Sequence, residues 1–158
     1  MAERMIFKTP NEAITYLESC EYLETLKKLP MDVIQMIGQL QNYNNMECGD
    51  ENTKKVIAAI AQMPPTSKEL VAWRCGDMRS SSRGFVSATL WEDVAKKFQN
   101  YNRYRFSKVH PIIIHVGARL LPFAPINDIR FRSFEDPELE ILLDINHLVK
   151  RRGVYHYV

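Results

Sequence analysis

Near Pro65 the hydrophobic positions change their rhythm. Before it they recur at the three- and four-residue spacing of a helix, and after it they run together or alternate as in strands. Ala13, Tyr16, Leu17, Cys20 and Leu23 form one apolar stripe. It is opened by Thr9-Pro10-Asn11-Glu12, which sets a cap, a proline at the first helical position and a glutamate at the third. One helix from Pro10, ended by Pro30, is the expectation. A second begins near Asp32 and carries Val33, Ile34, Ile37 and Leu40, before the asparagine-rich stretch Asn42 to Asn52 breaks the pattern. A third, from about Thr53 through Val56, Ile57 and Ile60, stops ahead of Pro64-Pro65.

The remainder reads as strands. Leu70-Val71-Ala72-Trp73 is a buried apolar run, Phe85 to Leu90 alternates, Ile112 to Ile114 is wholly apolar, and Leu139 to Ile145 alternates again. Gly153 to Val158 reads as a last strand after the turn-like Lys150-Arg151-Arg152-Gly153. Helices first and strands afterwards define an α+β fold, with a helical part over 1–65 and a mainly β part over 66–158. The predicted arrangement is a pair of packed β-sheets with the early helices covering one of them.

Composition narrows this picture. A chain of 158 residues is one domain by length, expected to span 1–158 around a single core. Hydrophobic residues at 46% and charged residues at 25% exclude a disordered chain, and no apolar run approaches the roughly 20 residues that span a bilayer. Glu3, Arg4 and Lys8 interrupt any signal-like apolar start. The odd, scattered cysteines Cys20, Cys48 and Cys75 fit neither a disulfide framework nor a metal knuckle, so a reducing cytoplasm is the simplest home. His110, His115, His147 and His156 lack metal-ligand spacing, and no metal is expected. A net charge of +2 does not by itself argue for nucleic acid.

Three places hold candidate chemistry. With a period of two, Glu138, Glu140, Leu142 and Asp144 share one face of the late strand; the carboxylates either point into water or line a cleft, where they would stabilise an oxocarbenium-like centre and take a proton from a nucleophile. Phe85, Ser87 and Thr89 share a face of an earlier strand. Thr89 has a local role as the cap of a helix in which Glu92 completes the box and Trp91, Val94, Ala95 and Phe98 form the inward stripe. Ser87 has none, and a buried hydroxyl needs a partner such as a carboxylate. Arg74 closes the run Val71-Ala72-Trp73 ahead of Cys75-Gly76: it either snorkels to the surface or turns inward, where its planar fork suits a diphosphate.

In this order, an arginine strand, an aromatic-x-Ser-x-Thr strand leading into a helix, and Asp136-Pro137-Glu138-Leu139-Glu140-Ile141-Leu142-Leu143, the region from about Val71 to Leu143 resembles the arginine, serine, glutamate class of mono-ADP-ribosyltransferases. Phe85-Val86-Ser87-Ala88-Thr89 is similar to the family's Ser-Thr-Ser strand. Trp73-Arg74-Cys75-Gly76 is similar to its Tyr-Arg-Gly element with one residue inserted before the glycine. The resemblance implies a split β-sandwich with a helical N-terminal part, and a glycosyltransferase that cleaves nicotinamide from NAD and transfers ADP-ribose. Arg74 would hold the NAD phosphates, with Cys75, Gly76, Ser87, Thr89 and Phe98 around the co-substrate. Ser87 would orient Glu140, which would stabilise the oxocarbenium ion, and Glu138 would activate the acceptor. A glutamate at that position implies a protein arginine as target, met by a recognition loop from Arg130 to Glu135 with Phe134 exposed. Arg74 and Ser87 are 13 positions apart, so Asp77 to Gly84 can be little more than a hairpin loop.

Tyr101 to Lys108 interleaves aromatics with cations. It is a base-stacking surface, an ordinary exposed loop, or a segment whose Arg103 or Arg105 closes over the NAD phosphates. Two rivals accompany the main reading: the same fold acting on a nucleic-acid acceptor, and an inactive relative that binds a partner through the same cleft. The expectation is a monomer, without membrane attachment, acting in the cytoplasm of its own cell or, as a toxin or viral effector, of a host.

Overall fold

The computed structural model describes residues 4–19, 21–33, 51–76, 84–100, 107–123 and 139–158. At the start, Glu12 N–H donates to Thr9 Oγ1 at 3.3 Å, and the Glu12 carboxylate reaches back to Lys8 N–H at 2.8 Å. The expected single helix is instead two, α1 (Pro10–Ser19) and α2 (Tyr22–Lys28). A continuous helix would set Tyr16 and Tyr22 roughly 120° apart around its axis. The break lets both turn into the core, where their ring centroids lie 6.3 Å apart. At that break Ser19 Oγ donates to the Tyr16 carbonyl at 2.8 Å, a bond of the kind that bends helices. Residues 31–33 are helical, and the rest of the helix expected from Asp32 lies outside the described residues. The helix expected from Thr53 is α3 (Glu51–Gln62); it begins earlier, taking in Glu51 and Asn52, and buries Thr53, Val56, Ala59 and Ile60 on one side.

Among the described residues, eight strands form one hydrogen-bonded sheet: β1 (Arg4–Met5), β2 (Glu69–Cys75), β3 (Phe85–Thr89), β4 (Val109–Ile114), β5 (Leu121–Phe123), β6 (Glu140–Asp144), β7 (Leu148–Arg151) and β8 (Val154–Tyr157). Their order is β5-β6-β3-β2-β4-β8-β7, with β1 beside β2. Lys150 and Arg151, read from sequence as part of a turn, belong to β7. The turn proper is Arg152-Gly153 with φ of 52° and 79°, the positive pair that closes a tight hairpin between β7 and β8. The strand expected from Leu139 to Ile145 is trimmed at both ends. Leu139 takes a φ of 46°, and Ile145 enters a 3-10 turn capped by Asp144, whose carboxylate accepts Asn146 N–H at 2.9 Å.

The sheet is nearly divided in two. β2 pairs β4 from Leu70 to Cys75 and β3 pairs β6 over its whole length, yet β2 and β3 share the single pair Trp73↔Thr89. β1 occupies the same edge of β2 at Glu69 and Leu70. The two halves, β5-β6-β3 and β2-β4-β8-β7, share one core: Leu70, Ala72, Ile112 and Ile114 pack in the same cluster as Phe85, Val86, Ile141 and Leu143 and the helical Tyr22, Leu26, Val56 and Ile60. This is an α+β fold of the split-sandwich kind. A further helix, α4 (Glu92–Phe98), packs across both β2 and β3, with Ala95 against Val71 and Trp73.

Candidate functional site

In the β3–β6 register Thr89 stands opposite Glu140 and Ser87 opposite Leu142, so Ser87 and Glu140 are diagonal neighbours on one face. Ser87 Oγ donates to Glu140 Oε1 at 2.5 Å, the short end of the range for a hydroxyl on a carboxylate. All other residues of these two strands are buried; Ser87 and Glu140 alone are half-exposed. Strands covered on both faces are therefore open to solvent at one hydrogen-bonded pair.

Arg74 enters from the other half of the sheet. Leu90 N–H donates to the Leu139 carbonyl at 3.1 Å, which makes Thr89/Glu140 and Ser87/Leu142 non-hydrogen-bonded pairs. The Ser87 carbonyl accordingly faces β2 instead of β6. Pairing between β2 and β3 has ended at Trp73, and Arg74 Nη1 donates to that carbonyl at 2.8 Å, where a backbone N–H would otherwise sit. Arg74 is also half-exposed, after the buried run Leu70 to Trp73. One residue, Ser87, thus touches a guanidinium through its backbone and a carboxylate through its side chain.

The other candidates stand around this centre. Cys75 is buried and pairs through its backbone with Val109. Burial pushes its thiol above the ordinary value while the Arg74 charge pulls the other way, so the net effect favours the protonated thiol, a poor nucleophile. Gly76 takes a φ of 108°, a conformation suited to glycine, and its N–H donates to the Lys108 carbonyl at 3.1 Å. Thr89 is buried, and its Oγ1 accepts Trp91 N–H at 3.2 Å. It does not cap the following helix as expected. The Leu90–Leu139 bond keeps the chain extended past Thr89, so the helix starts at Glu92 with Trp91 in the cap position. Val94 and Ala95 of that helix are buried, whereas Trp91 and Phe98 are half-buried. Arg103, Arg105, Phe134 and Glu138 lie outside the described residues. Period-two alternation, the reason for putting Glu138 on the face of Glu140, stops at Leu139, where φ leaves the strand region.

Sequence reasoning gives no place to His110, which the β2–β4 register sets opposite Arg74. Strand pairing is the only signal for it, and the sequence does not carry that. Among the described residues no three histidines, cysteines or carboxylates are placed to hold a metal ion, and no helix is long and apolar enough to cross a membrane.

No family model matches the chain, and no curated protein matches it in sequence. Its fold does match. An ADP-ribosyltransferase from Clostridium botulinum superposes with a TM-score of 0.61 at 10% identity, over 98% of this chain and 96% of that one. Vis toxin, an ADP-ribosyltransferase from Vibrio splendidus, gives 0.44 at 10% identity over 95% and 84%, and exoenzyme S from Pseudomonas aeruginosa gives 0.40 at 12% identity over 96% and 82%. The fold assignment rests on the first of these. The chain has the fold of the ADP-ribosyltransferases.

Proposed function

We propose that this chain is an NAD-dependent mono-ADP-ribosyltransferase of the arginine, serine, glutamate class. The observation that carries the reading is the half-exposed Ser87–Glu140 pair, bonded at 2.5 Å, with Arg74 bound to the same serine. Breaking the bond between nicotinamide and ribose sends its electron pair to nicotinamide and leaves positive charge on the sugar. A fixed carboxylate offsets that charge as it develops, and a fixed one is worth more than a mobile one because it needs no reorganisation. We give Arg74, bound to the Ser87 carbonyl, the phosphates of the same co-substrate. In the transfer step an acceptor nitrogen bonds to the ribose carbon and loses a proton. We assign the acceptor as an arginine side chain of a protein and give Glu138 the proton.

Incubation with labelled NAD and a cell lysate tests this: label on protein, with free nicotinamide released, is the expected result. Glu140→Gln keeps the shape and removes the charge, and both nicotinamide release and transfer should fall by about a hundredfold or more. Glu138→Gln should abolish transfer to arginine while slow hydrolysis of NAD survives. Full activity in the Glu140 variant would leave the Ser87–Glu140 pair a structural hydrogen bond only, and label on nucleic acid would keep the chemistry but replace the acceptor.

A further inference from the structure

The β7–β8 hairpin closes one side of the sheet with a run of positive charge. From Ile145 to Val158 the sequence has no aspartate or glutamate, while Lys150, Arg151 and Arg152 stand in succession and outweigh the net charge of +2 on the whole chain. All three are exposed, and among the described residues none of them is ion-paired. Lys150 Nζ lies 5.2 Å from the centroid of the Tyr155 ring, which holds its charge against the sheet. Arg152 keeps its place in the turn at a φ of 52°, a left-handed conformation that asparagine or glycine takes more readily.

β7 also turns backbone groups outward. It has β8 on one side and, among the described residues, no strand on the other. The two-residue turn Arg152-Gly153 makes Arg151 and Val154 a hydrogen-bonded pair, and the Val158 N–H on the His147 carbonyl at 3.0 Å gives the same alternation from the other end. Leu148 and Lys150 therefore belong to non-hydrogen-bonded pairs, with N–H and carbonyl turned away from β8. The Leu148 N–H is taken by the Ile145 carbonyl. The Leu148 carbonyl and both backbone groups of Lys150 form a row along the edge, with the Lys150 side chain on one face of the strand and those of Val149 and Arg151 on the other.

We propose that this edge is a docking surface for an acidic, extended segment of a partner protein, which adds to the sheet as a further strand beside β7. The backbone row calls for a peptide: a strand supplies an acceptor for the Lys150 N–H and donors for the two carbonyls, whereas a phosphate chain supplies acceptors alone. The charge selects among peptides. Like charges across a strand pair destabilise it and opposite charges stabilise it, so a second copy of β7 is disfavoured and carboxylates opposite Lys150 and Arg151 are favoured. Charged residues also guard edges against self-pairing. That purpose alone does not call for an arginine in a left-handed turn position beside two other cations. Opposite the half-buried Leu148 and Val149 the segment carries apolar side chains, so in the antiparallel direction its core reads two acidic residues and then two apolar ones. The inference is independent of NAD chemistry, because β7 lies beyond β4 and β8 from the strand that holds Arg74.

Fluorescence anisotropy of a labelled octapeptide with the core Glu-Glu-Val-Val, titrated with the whole chain, tests this. Binding should saturate, and it should weaken by about tenfold or more when Arg151→Glu and Arg152→Glu are combined. The same peptide with lysines for its glutamates should not bind the wild-type chain. Lys150→Pro removes an N–H that β8 does not use, so it should abolish binding with the melting temperature and NAD turnover unchanged. Lys150→Gln keeps that N–H and should bind more weakly than wild type but more tightly than the proline variant. A peptide N-methylated at the glutamate opposite Lys150 reads the same backbone contact with the wild-type chain, whatever the proline does to folding, and should not bind. Wild-type affinity for the N-methylated peptide, or no binding of the unmodified one, overturns the proposal. So does a twelve-base single-stranded DNA that binds more tightly than the peptide, which would give the cations to nucleic acid, or a wild-type dimer that Lys150→Pro dissociates, which would give the edge to a second copy.

Discussion

Ser87 and Glu140 meet across the diagonal of β3 and β6, hydroxyl on carboxylate at 2.5 Å, with buried residues on every other position of both strands. Glu140 is the first residue of its strand, directly after the positive-φ Leu139. The serine fixes its carboxylate through one of the two oxygens.

Ser87→Ala should therefore lower kcat for nicotinamide release by about ten- to a hundredfold, in the range of losing one positioning hydrogen bond in a preorganised site. KM should change little, because the hydroxyl is engaged with the enzyme's own carboxylate. Ser87→Thr keeps the hydroxyl and should recover most of the rate. If alanine and threonine behave alike, the 2.5 Å bond does not position the acid.

Arg74→Lys separates a second role. The guanidinium bonds the Ser87 carbonyl where β2 and β3 part, and an ammonium has no planar fork with which to bridge that gap and hold a phosphate together. Losing a hydrogen bond from a charged donor costs about 1.5–3 kcal/mol. The variant should melt earlier and show a raised KM for NAD. An unchanged melting temperature would mean that the arginine contact carries no part of the junction between the halves.

What the sequence makes legible follows from which interactions are local. The change from helix to strand near Pro65, the capping box at Thr9 and the order of Arg74, Ser87 and Glu140 depend on residues close in the chain or on short motifs. The break between α1 and α2 depends on two tyrosines reaching one core, and periodicity within a single stripe does not report that. β7 escapes because four residues, half of them charged, look like a turn until β8 pairs with them. The start of α4 is displaced by a long-range bond, Leu90 to Leu139, that no local cap signal contains. His110 is the same lesson at the site: alone it is one histidine on a strand, and register makes it Arg74's neighbour.

Cys75 adjoins Arg74 yet should be chemically quiet. Burial raises its thiol more than the arginine lowers it, so little thiolate is present at neutral pH. Native protein should react with iodoacetamide far more slowly than urea-unfolded protein, and Cys75→Ala should retain NAD turnover within about twofold, because the contact expected of this residue runs through its backbone. Rapid alkylation of the native thiol with parallel loss of activity would place the sulfur in the site.

Tyr157 ties the end of β8 to the end of β6, and its titration should be visible in the stability of the whole fold. Its hydroxyl donates to the Arg119 carbonyl at 2.5 Å and accepts Asp144 N–H at 3.1 Å. Burial pushes its pKa from 10.0 up to about 12; the Asp144 N–H works against that by favouring the phenolate, and the Asp144 carboxylate adds to the rise. The folded state thus holds the proton more tightly than the unfolded state. Its contribution is complete below pH 10 and is lost as pH rises from about 10 through 12, with a limiting slope near 1.4 kcal/mol per pH unit. Tyr157→Phe removes this titration and also strands the Asp144 N–H, costing about 1–3 kcal/mol at neutral pH. Urea denaturation at pH 8 and again near pH 11 should then find the wild-type advantage large at the lower pH and much reduced at the higher. Parallel loss of stability in both proteins would show that other groups carry the alkaline transition and that the buried phenol is not its source.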